Sequence, residues 1–310
     1  MTSGTSVAIC ITTYRRPTKL RSLLQALQSL TFEKVSEPEI IVVIVDNDVF
    51  GSARSVVAEF LSRRYRIRYR VESRRGVSFT RNTAIESART ADFIAFLDDD
   101  EQPCPQWLDE LLTVQSAFDA PIVAGPVLPR FESAPPQWML NGHFFHRKRF
   151  ATGTRITSSG AGNVLLGNRV LRALSPIWFD PRFTLTGGED THFFRRCTEL
   201  GFPIIWADDA IAYESVPNVR LSPGYLVARA RNGGNHWTRV DIELQPTLLN
   251  LGRRFATGLF RILQGSALAV VSSALPQHYR LRGKLLLAEG SGNLRAFLGR
   301  SYNTYGGRVQ

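Results

Sequence analysis

The sequence predicts an α/β chain, and three observations carry that reading. Apolar segments rich in Val, Ile and Phe alternate with segments of helical periodicity, giving βαβαβαβα over residues 6–118. Most of the strand segments are hydrophobic throughout rather than alternating, as in strands buried on both faces of a sheet. Polar residues fall at or just past three strand ends, where open α/β sheets bind ligands. Together they predict a Rossmann-like, mainly parallel sheet flanked by helices, followed by a helical, basic C-terminal region.

The first strand is SVAICITTY (6–14), a largely β-branched run ending on Tyr14. TKLRSLLQALQSL (18–30) follows as a helix because Leu20, Leu23, Leu24 and Leu27 recur at helical spacing on one face. EIIVVIVDND (39–48) is a second buried strand that closes on Asp46 and Asp48. SARSVVAEFLSRR (52–64) reads as helix, and RIRYRV (66–71) as a third strand with alternating faces. SFTRNTAIESART (78–90) is helical, DFIAFLD (92–98) is the fourth strand, and PQWLDELLTVQSAF (105–118) is a helix.

From 125 to 163 the chain is rich in Gly, Pro and aromatic residues with weak periodicity, which predicts a long functional loop. Regular structure resumes at NVLLGNRVLRAL (163–174) and turns at GGED (187–190). It continues as the helix DTHFFRRCTELG (190–201), the strand FPIIWA (202–207) and an edge segment, DDAIAYES (208–215). The expected organisation is one main domain over 1–220, with halves of about 1–125 and 126–220, and a helical region over 221–310.

The 310 residues, 44% of them hydrophobic, suffice for a large core and argue against disorder. The formal charge of +11 points to an anionic partner: nucleic acid, a phosphorylated small molecule or an acidic lipid surface. Zinc-finger spacing and RNA-binding aromatic signatures are absent, so nucleic acid is not the expected partner. Cys10, Cys104 and Cys197 lie far apart, which excludes a cysteine metal site, and Cys10 sits in an apolar strand as a buried thiol. The first residues lack the basic flank and long apolar core of a secretory signal, so none is expected. No apolar run reaches the ~20 residues of a membrane-spanning helix. The nearest, 255–276, is broken by Arg261 and Gln264 and reads either as a buried helix or as one lying in a membrane interface.

The segment FLDDDEQP (96–103) sets four carboxylates side by side behind a strand. Such a cluster of hard oxygens suits Mg2+ or Mn2+, which take one or two carboxylates and complete their shell on phosphate oxygens. The blander reading is acidic capping of the helix that follows, for which one or two acids would serve. GGED carries a second acidic pair, Glu189 and Asp190, at a helix start. It reads either as an N-cap or as a general base brought opposite the first acids.

In order along the chain, ICITTYRRP, IIVVIVDND, RGVSFTRNTAIESARTADFIAFLDDDEQP and GGEDTHFFRRCTELGFPIIWADDAIAYE resemble the family 2 glycosyltransferases. These are inverting enzymes of the GT-A fold that use nucleotide-diphosphate sugars, and the likeness covers about residues 6–215. The DDDE form is similar to succinoglycan-type exopolysaccharide glucosyltransferases. The resemblance implies that Thr12, Tyr14, Arg16, Asp46, Arg75, Arg81, Asn82, Asp98 and Asp99 lie around the nucleotide. It further implies that Asp98 and Asp100 hold the divalent metal, Mn2+ or Mg2+, and that Asp190, with Glu189 beside it, acts as the catalytic base. This sequence has DND where many relatives have DDGS, which leaves the role of Asp48 open. SSGAGNVLLGNRV (158–170) is similar to the acceptor-side segment, and Asn163, His192 and Trp138 are the acceptor-binding candidates.

The activity so implied is transfer of a hexose, glucose or a relative, from a UDP-sugar to a saccharide or polyprenyl-linked oligosaccharide. The basic C-terminal region adds an anionic membrane surface as an expected partner, with a peripheral location on the cytoplasmic face of the inner membrane. The same residues admit two alternatives. A sugar-nucleotide pyrophosphorylase would carry a Gly-rich basic loop after the first strand, which TTYRRPTKL lacks. A nucleic-acid-binding protein would explain the charge but not the acids at three strand ends.

Overall fold

The computed structural model describes residues 4–272 and 275–302; the end of the apolar stretch 255–276 therefore falls partly outside the described residues. The first half follows the predicted alternation: β1 (Ser6–Thr13), α1 (Pro17–Leu27), β2 (Glu39–Asp46), α2 (Arg54–Ala58), β3 (Arg66–Val71), α3 (Val77–Ala88) and β4 (Phe93–Asp98). Next come β5 (Glu101–Pro103), α4 (Trp107–Phe118), β6 (Ile122–Ala124), β7 (Val127–Phe131), α5 (Gln137–Gly142), β8 (Arg155–Ile156), β9 (Val164–Gly167) and α6 (Asn168–Leu174). The remainder is α7 (Glu189–Glu199), β10 (Ile204–Trp206), β11 (Ala212–Val216), α8 (Pro223–Leu244), α9 (Leu248–Val271) and α10 (Gln277–Phe297).

The main sheet has eight strands in the order β3-β2-β1-β4-β9-β6-β10-β8. β1 pairs in parallel with both β2 and β4, so the strand order reverses direction at β1, where an open sheet leaves a crevice for a ligand. Register then aligns the polar ends: Thr13 lies opposite Asp46, and Thr12 opposite Asp98. β9 is antiparallel to β4 and to β6, closing the gap between the two parallel halves. A second sheet has the order β5-β11-β7. Residues 101–103, to which the sequence reading gives no regular element, are strand β5, paired antiparallel with β11.

Both faces of β1 are covered, which is why its sequence does not alternate. Val7, Ile9 and Ile11 meet the α1 leucines Leu20, Leu23, Leu24 and Leu27. Ala8 and Cys10 share the opposite cluster with Ala84, Ile85 and Ala88 of α3 and with Phe193 and Phe194 of α7. Cys10 is the buried thiol expected, and burial raises its pKa. The segment 125–163, expected as a loop, holds β7, α5 and β8.

The chain forms two compact units. One comprises residues up to Leu128, Arg147–Thr184 and Glu189–Ser215; the other comprises Pro129–His146, Leu185–Gly188 and the chain from Val216 onward. Residues 129–146 thus join the C-terminal helices, whereas the sequence reading grouped them with the half 126–220. The second unit is built on α8, α9 and α10. Ser222 caps α8 by accepting from the Tyr225 N–H at 3.3 Å, with Pro223 at its first turn. Thr247 caps α9 by accepting from the Asn250 N–H at 3.3 Å. Met139, Phe145, Val216, Leu226 and Leu281 make its core. α9 and α10 run closely along glycines: a Cβ at Gly265 would stand 2.8 Å from the Gly283 carbonyl oxygen, and one at Gly290 2.6 Å from that of Gly258.

Candidate active site

Three polar loops lie at the carboxyl ends of β1, β2 and β4. After β2 the chain turns on Asp46, whose carboxylate accepts from the N–H groups of Asp48 at 2.9 Å and Ala53 at 2.8 Å, and from the Tyr69 hydroxyl at 2.9 Å. Asp46 is 0% exposed. The sequence reading set Asp46 against the nucleotide base; the structure turns it inward to hold the loop. Asp48 stands at the front of that loop, with Arg15 Nε 3.2 Å from its Oδ2, and the Arg15 guanidinium lies over Tyr14 at 5.2 Å from the ring centroid. Asn47 ties this loop to the next: its amide donates to the carbonyls of Glu72 and Arg74 at 2.8 Å and accepts from the Gly76 N–H at 2.8 Å. Gly76 has φ +128°, and a Cβ there would strike Thr184, so the start of α3 requires glycine.

The four acids after β4 go to four different places. Asp99 turns inward, accepting from the Thr13 hydroxyl at 2.8 Å and from Arg16 at 2.9 Å, and burial raises its pKa. Asp100 is buried and also meets Arg16, at 3.3 Å. Glu101 is buried and accepts the Asp98 N–H at 3.0 Å; burial, then the charge of Asp98, raise its pKa well above the usual carboxylate range. Asp98 presents its carboxylate outward, with its side chain 41% exposed. Repulsion among four adjacent acids is thus relieved by the raised pKa values of Asp99 and Glu101, by Arg16 and by divergence of the side chains. Among the described residues no three His, Cys, Asp or Glu side chains converge on a metal position. An exposed Asp98 with Asp100 nearby fits a Mg2+-type ion that draws its other ligands from a diphosphate and water, not a closed protein cage.

Arg81, in the second turn of α3, joins this region to the second acidic pair. Its Nη1 lies 2.6 Å from Glu189 Oε1 and its Nη2 3.2 Å from Asp98 Oδ1. The guanidinium rests over Phe179, 5.4 Å from the ring centroid. Glu189 opens α7, and burial, then the charge of Asp190, raise its pKa from 4.5 to about 7. Its Oε2 is buried without a hydrogen-bond partner among the described residues. Asp190 is half-exposed; its Oδ1 accepts the Thr191 N–H at 2.6 Å, and a Cβ on Gly160 would come within 3.7 Å of its Oδ2. A Cβ on Gly162 would strike Glu101 Oε1, so the loop Gly160–Gly162 passes both acidic groups at close range. Two adjacent carboxyls in different surroundings, one buried and one open, are the arrangement that separates acid and base roles.

Three of the expected ligand contacts are instead internal. Asn82 donates to the Phe179 carbonyl at 2.8 Å and accepts the Phe179 N–H at 2.9 Å, so its amide is spent on the backbone. Asn163 accepts from Trp107 Nε1 at 2.7 Å and donates to the carbonyls of Pro126 and Ala210 at 3.0 and 2.7 Å, fully buried. His192 is buried and stacks on Phe183 at 4.8 Å, facing the core rather than a ligand. Trp138 belongs to the second unit, its ring 5.9 Å from that of Phe144. Thr12 and Tyr14 are half-buried at the end of β1, Arg16 is partly exposed beside the acids, and Arg75 is exposed. Sequence reasoning passed over Arg15 and Thr13 and gave Glu101 no role beyond its place in the acidic cluster. The alternation of side-chain direction along β1, which puts Thr13 on the same side as Ile9 and Ile11, was the available signal for one of them.

The sheet order and helical cover are those of the GT-A fold. The family described as Glycosyl transferase family 2 matches residues 8–173, and the chain belongs to it. It is similar to the succinoglycan biosynthesis protein ExoM of Rhizobium meliloti, with 33% identity over 233 residues, 74% of each chain. Among solved structures it resembles the mannosyltransferase PcManGT from Pyrobaculum calidifontis, in complex with GDP-Man and Mn2+, at TM-score 0.62 and 17% identity over 95% of this chain and 88% of that one. It also resembles S. aureus TarS 1-349 in complex with UDP-GlcNAc, at TM-score 0.52 and 16% identity over 96% and 93% of the two chains.

Proposed function

We propose that this chain is an inverting transferase moving a hexose, glucose or a relative, from a UDP-sugar to a saccharide or lipid-linked oligosaccharide in bacterial surface or exopolysaccharide synthesis. The observation that carries the proposal is Arg81, which holds Asp98 and Glu189, the neighbour of Asp190, to one guanidinium. The polysaccharide context draws on the likeness to a protein named for succinoglycan biosynthesis. The enzyme acts at the cytoplasmic face of the inner membrane without spanning it.

Tyr14 and Asp48, with Thr12 and Arg75, take the nucleoside. Asp98 and Asp100 would hold Mn2+ or Mg2+, which when bound with the donor neutralises the diphosphate leaving group. Asp190 accepts the proton of the acceptor hydroxyl as that oxygen attacks the anomeric carbon from the side opposite the diphosphate, so configuration inverts. Glu189, paired to Arg81, holds a buried charge or proton beside Asp190 and fixes the start of α7.

Calorimetric titration with UDP, GDP, CDP and dTDP, with and without Mn2+, tests the donor class. UDP binding that needs Mn2+ and vanishes in Asp100→Ala is the expected result. Asp190→Asn is expected to lose about 10²–10⁴-fold in transfer while binding UDP as the wild type does. Loss of UDP binding in Asp190→Asn would mean that Asp190 serves the donor site and is not the base.

A further inference from the structure

α9 is amphipathic, and its apolar side is turned away from its own unit. Gly258 and Gly265 set the inner side against α10. At about 100° per residue, the opposite side carries Leu249, Leu259, Phe260 and Leu263, which are 85%, 44%, 57% and 68% exposed. The helix has 24 residues and is therefore about 36 Å long. Single exposed leucines are ordinary on a protein surface, whereas four large apolar residues on one side of such a helix call for an occupant.

Charge identifies that occupant. Fourteen Arg and Lys against four Asp and Glu give the second unit +10 of the chain's +11. Between Glu243 and Glu289 the sequence has six Arg and Lys and no acid. Arg253, Arg280, Arg282 and Lys284 are exposed. A second copy of the chain would set +10 against +10, so self-association through the stripe meets repulsion. No helix among the described residues is long and apolar enough to cross a membrane.

We infer that the outward side of α9 is an interfacial anchor, lying in the plane of an anionic bilayer with Leu249, Leu259, Phe260 and Leu263 at the acyl boundary. The exposed Arg and Lys of the same unit meet the lipid phosphates. This anchoring role rests on the peripheral location proposed above only for the identity of the membrane.

Full-length protein sedimented with phosphatidylcholine vesicles, with and without phosphatidylglycerol, tests it. The wild type is expected to partition onto the anionic vesicles, less as salt is raised, and weakly onto phosphatidylcholine alone. Leu259→Glu/Leu263→Glu is expected to lower that partition by about tenfold or more, with an unchanged circular dichroism spectrum and unchanged UDP binding. Equal sedimentation of the double variant, or equal binding of the wild type to both vesicle types, would overturn the anchor. So would a lipid-free dimer that the double variant converts to monomer, since the stripe would then belong to a second copy. Absent UDP binding with intact vesicle binding would remove the UDP-donor reading and leave the anchor standing.

Discussion

Replacing Arg81 by methionine keeps an unbranched apolar stem but takes away the guanidinium 2.6 Å from Glu189 Oε1. Its ion pairs with Asp98 and Glu189 are lost together with the contact over Phe179, and burial decides which ion pair matters. The Asp98 contact is 41% exposed at its acidic end, and exposed ion pairs contribute about 0–1 kcal/mol. The Glu189 contact is closed to water at both ends, 6% and 3% exposed, and removing one member of a buried pair costs about 3–5 kcal/mol.

That figure holds only where Glu189 is ionised. With Arg81 present its pKa stands at about 7, and without Arg81 it rises further. Near pH 5.5, therefore, Glu189 is protonated in both proteins, and the loss falls toward that of a neutral hydrogen bond, about 1 kcal/mol. Urea unfolding of wild type and Arg81→Met should give a difference of about 1 kcal/mol near pH 5.5 and about 3 kcal/mol or more near pH 8.5. A difference that is the same at both pH values, or below about 1 kcal/mol at the higher one, would refute the buried bridge.

The Glu189 contribution to wild-type stability should fall as pH rises from 4.5 to about 7, because the folded Glu189 keeps a proton that the unfolded chain has released; that part of the slope is at most about 1.4 kcal/mol per pH unit, and Glu189→Gln should remove it in the same titration, leaving the part that Glu101 and Asp99 contribute in the same direction. Asp46→Asn should cost about 1–3 kcal/mol in thermal unfolding by leaving a buried donor unmatched, with weaker UDP binding as a by-product; lost UDP binding at unchanged stability would return Asp46 to the nucleotide. Asn163→Ala strips the partners of Trp107 Nε1 and two buried carbonyls and should cost at least about 3 kcal/mol, while the KM for acceptor of the folded fraction stays put. Gly265→Val drives a side chain into the backbone of α10 and should lower the melting temperature of the second unit while leaving UDP titrations unchanged.

The parallel strands β1 to β4 were legible because each is a continuous apolar run whose two faces are both covered, and the helices between them carry their own 3.6-residue signature. β9 was not separated from α6, because four apolar residues in a row fit a strand or a helix start and only its neighbours, β4 and β6, decide. β5 was not legible beside the acidic cluster, because its pairing with β11 joins residues more than a hundred positions apart. The same non-locality explains the site. Which residues gather at the strand ends was visible in the motifs; where each side chain points was not. Asn163 and Asn82 carry ordinary ligand chemistry, yet the partners that consume it, Trp107, Ala210 and Phe179, come from other segments. Asp46 is turned away from solvent by Tyr69 on the adjacent strand, which no spacing along β2 reveals.

The second unit is assembled from three stretches of chain, and that bears on how the protein is made and how it can be cut. Met139 and Phe145 emerge from the ribosome well before Leu226 and Leu281, the residues that cover them. Until α8 and α10 are both synthesised, that early piece lacks part of its cover and exposes apolar surface, so a nascent chain stalled or cleaved before α10 is a substrate for chaperones and proteases. A shortened protein ending near residue 220 inherits the same defect, and the C-terminal helices expressed alone lack the other half of their core. Dissection of this protein therefore has to proceed by point substitution along intact helices, not by truncation.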